Sequence, residues 1–210
     1  MTRPIHESLL PGELPREPFA LLAEWLDHGR GAGYLNPDAI CLATVGADGA
    51  PHARMVLCRG LDVARGRLEF YTNRESRKGH DLAHRAEASA VFYWDRDARQ
   101  AIVSGPVEQI SDAESDAYWA TRPRLSQLAA WASEQSQPIE SRAALLARLA
   151  AATERFGAES DRAVPRPPHW GGYRIVAARV ELWSGTEGRM HDRAVWTRAG
   201  RAWRATRLQP

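Results

Sequence analysis

After one amphipathic helix the chain breaks into short apolar runs divided by turn-forming residues, and this rhythm restricts it to an antiparallel β architecture. Ala39–Val45 is apolar, Ala47-Asp48-Gly49 is a turn signal, residues 54–59 resume a strand, residues 60–66 turn, and residues 67–72 form a third strand. Two further strands are expected over residues 89–94 and 100–109, and closing strands over residues 173–183, 194–197 and 202–207. Helical periodicity predicts helices over residues 15–31, 76–85, 111–121, 123–133 and 140–156. The first buries Phe19, Leu22, Trp25 and Leu26 and ends in Gly29, Gly31 and Gly33. Ser76 is a candidate N-cap for the second, and Ser111 with Glu114 forms a capping box for the third. Short antiparallel strands with helices at their edges imply a barrel-like α+β domain.

With 210 residues, 44% of them hydrophobic, the chain can bury one sizeable core. The Pro-rich connection at residues 158–168 leaves too little sequence after it for a second stable domain, so residues 1–210 read as one domain, with residues 1–14 as a flexible lead segment. That lead carries Pro and charge and no apolar signal-like stretch, and no run approaches the roughly 20 apolar residues of a membrane span, so a cytoplasmic protein is expected. Cys41 and Cys58 lie inside apolar stretches and read as reduced, buried thiols; no Cys/His spacing argues for a metal. The net charge of +2 does not predict nucleic-acid binding. Lys78 is the single lysine in the chain.

Three stretches are too polar for their setting. In the first, a strand ending Tyr71-Thr72-Asn73 runs into a helix beginning Ser76-Arg77-Lys78. Helix N-terminal N–H groups and two cations suit a phosphate, although the same residues suit a capped surface helix. In the second, Tyr118 and Arg122 are four residues apart on one helix face, with Ser126 just beyond Pro123. Phenol, guanidinium and hydroxyl can converge on an anion, or mark a helix–helix corner with a surface arginine. The third is Arg189-Met190-His191-Asp192-Arg193; if extended, it places Arg189, His191 and Arg193 on one face, a donor set foreign to a sheet core.

Together these stretches resemble the pyridoxamine 5′-phosphate oxidase family over residues 15–210. The resemblance is carried by Arg54-Met55-Val56-Leu57, Phe70-Tyr71-Thr72-Asn73 with Ser76-Arg77-Lys78, Arg122-Pro123-Arg124-Leu125-Ser126-Gln127, Trp131-Ala132-Ser133-Glu134-Gln135-Ser136, Trp170-Gly171-Gly172-Tyr173-Arg174, Arg189-Met190-His191-Asp192-Arg193 and the ending Arg207-Leu208-Gln209-Pro210. It implies an FMN-binding split β-barrel with peripheral helices, working as a homodimer with FMN at the subunit interface. One subunit would hold FMN through Arg54, Met55, Val56, Leu57, Tyr71, Thr72, Arg77, Lys78 and Gln100, and its partner through Gln135, Ser136, Trp183 and Arg193. The phosphate of the substrate would be gripped by Arg59, Tyr118, Arg122 and Ser126, with Arg189 and His191 over the substrate ring as the catalytic pair. The implied reaction moves a hydride from the C4′ carbon of pyridoxine or pyridoxamine 5′-phosphate to the flavin, and oxygen then becomes hydrogen peroxide. Arg59 stands where the family usually has Lys, and residues 1–14 show no clear match to the Arg- and Tyr-bearing arm of many members. Two other outcomes of the same resemblance are a secondary-metabolism oxidase acting on dihydrophenazine carboxylates and a flavin- or vitamer-phosphate-binding protein without turnover.

Overall fold

A computed structural model describes residues 10–158 and 163–210 of the protein. The elements in chain order are α1 (Phe19–Gly31), β1 (Ala39–Val45), β2 (Pro51–Leu57), β3 (Gly60–Asp62), β4 (Arg67–Asn73), α2 (Arg77–His84), β5 (Glu87–Trp94), β6 (Arg99–Gln109), α3 (Asp112–Ala120), α4 (Arg124–Ala132), α5 (Arg142–Phe156), β7 (Trp170–Val176), β8 (Arg179–Ser184), β9 (Asp192–Ala199) and β10 (Ala202–Leu208). All strand pairs are antiparallel, and the fold is a curled, split β-barrel with peripheral helices.

The strands run β10-β9-β8-β6-β5-β1-β2 along one path, while β3, β4 and β7 form a second group that joins through β6. β6 serves both: residues Arg99–Ser104 pair with β8, and Val107–Gln109 pair with β7. The switch falls at Gly105, where a Cβ would lie 2.1 Å from the carbonyl oxygen of Val176. Only a residue without a side chain permits that approach. Among the described residues, β2 pairs only with β1, and the side of β4 away from β7 pairs with β3 only over Arg67–Glu69, so the outer edge of β2 and the Phe70–Asn73 part of β4 share no ladder bonds.

The core fills the curl. α1 lays Phe19, Leu22, Trp25 and Leu26 onto Ile40, Leu42, Phe70, Phe92, Trp94 and Trp196, all buried. Its first turn is capped by Glu17, whose carboxylate accepts from the N–H of Phe19 and Ala20. A second cluster, Trp119, Leu128, Phe156, Val164 and Trp170, seats α3, α4 and α5 against β7. The capping box of α3 forms as expected between Ser111 and Glu114. Arg174 and Arg166 then tie the acidic side chains of α3 to β7 and to the segment ahead of it, through Glu114, Asp112 and Asp116.

Element types follow the sequence closely, with corrections: the turn expected over residues 60–66 opens with a short strand, β3, and the turn proper spans residues 63–66. The strand expected over residues 173–183 is two strands, β7 and β8, parted at Ala177-Ala178, where Ala177 N–H bonds the Gly66 carbonyl and Ala178 N–H the Ser104 carbonyl. No glycine or proline marks that break, so the apolar alternation runs on through it. The strand expected over residues 54–59 begins earlier, at Pro51. Of the lead segment, residues 1–9 lie outside the described residues; Leu10 is buried in the core, and Arg207 donates to the carbonyls of Pro11 and Gly12. No helix among the described residues is long and apolar enough to cross a membrane. Cys41 and Cys58 are free thiols; Cys58 is buried, and desolvation pushes its thiol up to about 12, whereas Cys41 is half-buried.

Replacing Gly105 by Ala forces a methyl into the Val176 carbonyl. The expected cost is about 2–3 kcal/mol of stability, read as a lowered urea midpoint with an unchanged slope.

Candidate functional site

The unpaired edges of β2 and β4 border a cleft of about 730 Å³. β2 supplies Arg54, Met55, Val56 and Leu57, β4 supplies Tyr71 and Thr72, and α2 supplies Arg77 and Lys78. Arg59, Tyr118, Arg122, Gln135, Ser136 and Trp170 complete its wall. Met55 is 63% exposed, so this edge strand presents side chain and backbone to the opening rather than to a core.

Lys78 lines the cleft together with Arg54, Arg59, Arg77 and Arg122. It is buried, and its Nζ donates to Gln135 Oε1 at 2.7 Å, Ser76 Oγ at 2.8 Å and Thr72 Oγ1 at 3.0 Å. Every acceptor is neutral. Desolvation, and then the neighbouring Arg54, lower its pKa to about 8, against the opposing pull of Asp81. Ser76 stands at the N-cap of α2 as expected, but its hydroxyl makes no capping bond; it donates to the Asn73 carbonyl and accepts from Lys78. The hydroxyl expected to cap the helix instead holds the lysine in place.

A second cationic centre lies at the other end. Arg122 lies over two indoles that are themselves in edge contact, 4.6 Å from the Trp170 ring centroid and 5.1 Å from that of Trp119. Its Nη1 is buried without a hydrogen-bond partner among the described residues. Burial lowers its pKa, and the nearby charge of Arg59 acts in the same direction. Beside it Tyr71 and Tyr118 stack with centroids 3.9 Å apart, and Tyr71 lies 5.5 Å from Trp170. The common helix face expected for Tyr118 and Arg122 is not what unites them: α3 ends at Ala120, and the indole faces place Arg122. Ser126 lines an adjoining cavity of about 360 Å³ together with Arg122, Gln135 and Trp170.

The remaining candidates form a separate group outside that cleft. Gln100 on β6 is in register with Trp183 on β8, which is in register with Arg193 on β9. His191 packs on Trp183 with centroids 4.8 Å apart, and its Nδ1 accepts from the Thr186 N–H. Arg193 donates to Glu181 Oε1 at 2.7 Å and to the Gln209 carbonyl at 3.0 Å. Glu181 is buried; burial raises its pKa, but the bonds from Arg193 and Arg179 outweigh this and hold it low. The expectation of an extended Arg189–Arg193 run is corrected. Arg189 closes a 3₁₀ turn with φ +62°, and the strand starts only at Asp192. The Gly188-Arg189 pair is left-handed, which alternation along a strand cannot anticipate.

Against this geometry, a family model described as pyridoxamine 5′-phosphate oxidase matches residues 32–156, more than half of the chain. The chain belongs to the pyridoxamine 5′-phosphate oxidase family. A second model, described as the pyridoxine 5′-phosphate oxidase C-terminal dimerisation region, matches residues 170–210, which hold β7 to β10, and indicates a homodimer. The chain is 50% identical over 196 residues to a pyridoxine/pyridoxamine 5′-phosphate oxidase of Azorhizobium caulinodans, covering 92% of this chain and 90% of that one. It is 47% identical to the Burkholderia cenocepacia protein of the same name, covering 97% and 94%. Among solved structures, PhzG from Burkholderia lata in complex with tetrahydrophenazine-1-carboxylic acid superposes with a TM-score of 0.85 at 34% identity, covering 93% and 94% of the two chains. Membership in this family makes the protein an oxidoreductase.

Within the pyridoxamine 5′-phosphate oxidase family frame, two expected placements change. Gln135 and Ser136, expected from a partner subunit, line the cleft of the same chain as Lys78, and Gln135 also accepts from Thr72. Gln100, expected to contact FMN from the same subunit as Arg54, lies in the Trp183–Arg193 row and does not line the cleft. Sequence reasoning also left Trp119, Trp170, His52 and Asp81 without a role. Trp170 had a signal, since it opens the Trp170-Gly171-Gly172-Tyr173-Arg174 run. The other three are recognisable only once the strands are paired.

With the lysine poised at about 8, the cleft loses a cation as pH rises through that value. Affinity for a phosphomonoester should therefore fall between about pH 7 and about pH 9.5, since the depressed pKa means the proton leaves before the usual lysine range. Calorimetric titration measures this; Lys78→Met should bind weakly at both values, without that pH step.

Proposed function

We propose that the protein is an FMN-dependent oxidase that converts pyridoxine or pyridoxamine 5′-phosphate to pyridoxal 5′-phosphate, with O2 reduced to H2O2. The observation that carries this reading is the pair of desolvated cations in one cleft: Lys78, held only by neutral oxygens, and Arg122, with a buried donor unpartnered. Buried charges of this kind call for an anionic partner. Two such centres suit two phosphates, one on the cofactor and one on the substrate.

The residues present fit FMN. Arg77 and Lys78 at the start of α2 suit its phosphate, joined by Thr72, Gln135 and Ser136, while Arg54 and the open edge of β2 from Met55 to Leu57 suit the polar rim of a flavin. A cleft of about 730 Å³ lies within the usual range for such ligands. When bound, a flavin would supply the two-electron chemistry, hydride acceptance from the substrate and reoxidation by O2. The chain's own residues bind and orient. Arg59, Arg122, Tyr118 and Ser126 grip the phosphate of the substrate; the stacked rings of Tyr71, Tyr118 and Trp170 shape that end of the cleft. Arg189 and His191 are the proposed groups over the substrate ring, orienting it and steadying charge. Because these two, with Gln100, Trp183 and Arg193, lie outside the cleft of their own chain, the reading has each protomer complete the site of its partner. The protein is proposed to act in the cytoplasm.

A second reading is oxidation of a dihydrophenazine carboxylate on the same scaffold, favoured by the PhzG likeness and by Arg59 in place of the family's usual Lys. The higher identity to relatives named pyridoxine/pyridoxamine 5′-phosphate oxidase favours the first.

Purified protein loaded with FMN should consume O2 and release peroxide with pyridoxine 5′-phosphate, faster than with a dihydrophenazine carboxylate; the reverse order selects the second reading. Arg189→Ala should lower kcat/KM about tenfold or more while FMN stays bound; equal loss of FMN assigns Arg189 to the cofactor instead. If sites are shared, Lys78→Met and Arg193→Ala chains, each poorly active alone, should regain activity on co-expression, since mixed dimers then hold one intact site. No recovery rejects the shared site.

A further inference from the structure

We infer that Asp81 is a positioning residue that braces the two lips of the cleft against each other and sets the direction of the Arg54 guanidinium. The inference rests on reading the cleft as the flavin site.

The need for such a brace follows from the topology. Past the end of β2, the Arg59 N–H bonds the Glu69 carbonyl and β3 pairs with β4, but β2 itself shares no ladder bonds with β4, so backbone pairing does not fix the distance between the Pro51–Arg54 end of β2 and the β4–α2 lip. Asp81 sits on α2, three residues after Lys78, and is 5% exposed. Its side chain crosses to the other lip. A single oxygen, Oδ2, accepts from Thr44 Oγ1 on β1 at 2.6 Å, contacts His52 Nδ1 on β2 at 3.0 Å and accepts from Arg54 Nη2 at 3.4 Å. Burial raises the pKa of this carboxylate, but the Thr44 and His52 bonds and the Arg54 charge more than offset that, so it stays ionised.

Arg54 is caught in the same ring of bonds. Its Nη1 donates to Thr44 Oγ1 at 2.7 Å and to the Leu42 carbonyl at 3.1 Å. Thr44 thus accepts from Arg54 and donates to Asp81, which closes an Arg54–Thr44–Asp81 circuit. A planar guanidinium held at three points has a fixed plane. In this circuit only Nη1 and Nη2 donate, and Arg54 lines the cleft. Asp81 also balances charge: it is the carboxylate in contact with a group that otherwise holds Arg54, Arg77 and Lys78, and it favours the protonated form of Lys78 that Arg54 disfavours. His52 separates the cleft from a neighbouring cavity of about 530 Å³ and lines both.

The test is a double-mutant cycle on FMN affinity, followed by quenching of flavin fluorescence. Asp81→Asn keeps the shape and removes the charge. It should weaken FMN binding about tenfold or more in the otherwise unchanged protein, but less than about threefold when Arg54 is already Met, because the effect runs through Arg54. Additive losses would show that Asp81 acts independently of Arg54 and overturn the inference, as would unchanged affinity with only a lowered melting temperature. If Asp81→Asn does not fold, Asp81→Glu keeps the charge and moves it by one methylene; affinity should again drop about tenfold, and full retention overturns the inference. Failure of the unaltered protein to bind FMN would reject the flavin reading itself, and this inference with it.

Discussion

The dual membership of β6 is the constraint on which the rest of the structure depends. One half of the strand belongs to the long sheet and the other to the short one, and Gly105 marks the change because a side chain there would enter the Val176 carbonyl. A sheet shared in this way must curl, and its path ends at β2, an edge that faces β4 without pairing to it. Exposed strand edges are normally a hazard, since their free N–H and C=O groups invite other chains. Here the edge lies in a recess beside a helix start rich in cations.

The recess gathers charge that the chain only partly compensates. Lys78 is satisfied in hydrogen bonds but not in charge, and Arg122 is packed by indoles with one donor left over. Such arrangements cost stability unless a ligand completes them. By contrast, on the other group of strands the buried Glu181 carboxylate is paired within the chain by both Arg193 and Arg179. The incompletely compensated cations thus lie in the cleft, and the Trp183–Arg193 row lies outside it. The match of residues 170–210 to a dimerisation region agrees with that division.

Much of the fold was legible in the residues. Apolar alternation located the strands of the meander, and Ser111 with Glu114 marked the start of α3 as surely as any contact in the structure. The start of α2 at Ser76-Arg77 was legible as well, because helix N-termini are local features. Lys78 is conspicuous from composition, as the single lysine in an arginine-rich chain. What escaped were features with no local signature. The break between β7 and β8 has none, since Ala177 and Ala178 suit either strand. The left-handed Arg189 has none either, because a positive φ at arginine is imposed by the surrounding turn.

By itself, then, the sequence determined the element types, the family and the inventory of charged groups, all of which depend on neighbours along the chain or on motifs in a set order. Tertiary structure alone decided which of those groups meet. It brought Gln135 to Lys78 across 57 positions and Asp81 to Arg54 across 27, and it set Gln100 beside Trp183. The physical reason is that side-chain chemistry is written residue by residue, whereas proximity across a split barrel depends on strand order, on register and on the single glycine that lets β6 change partners.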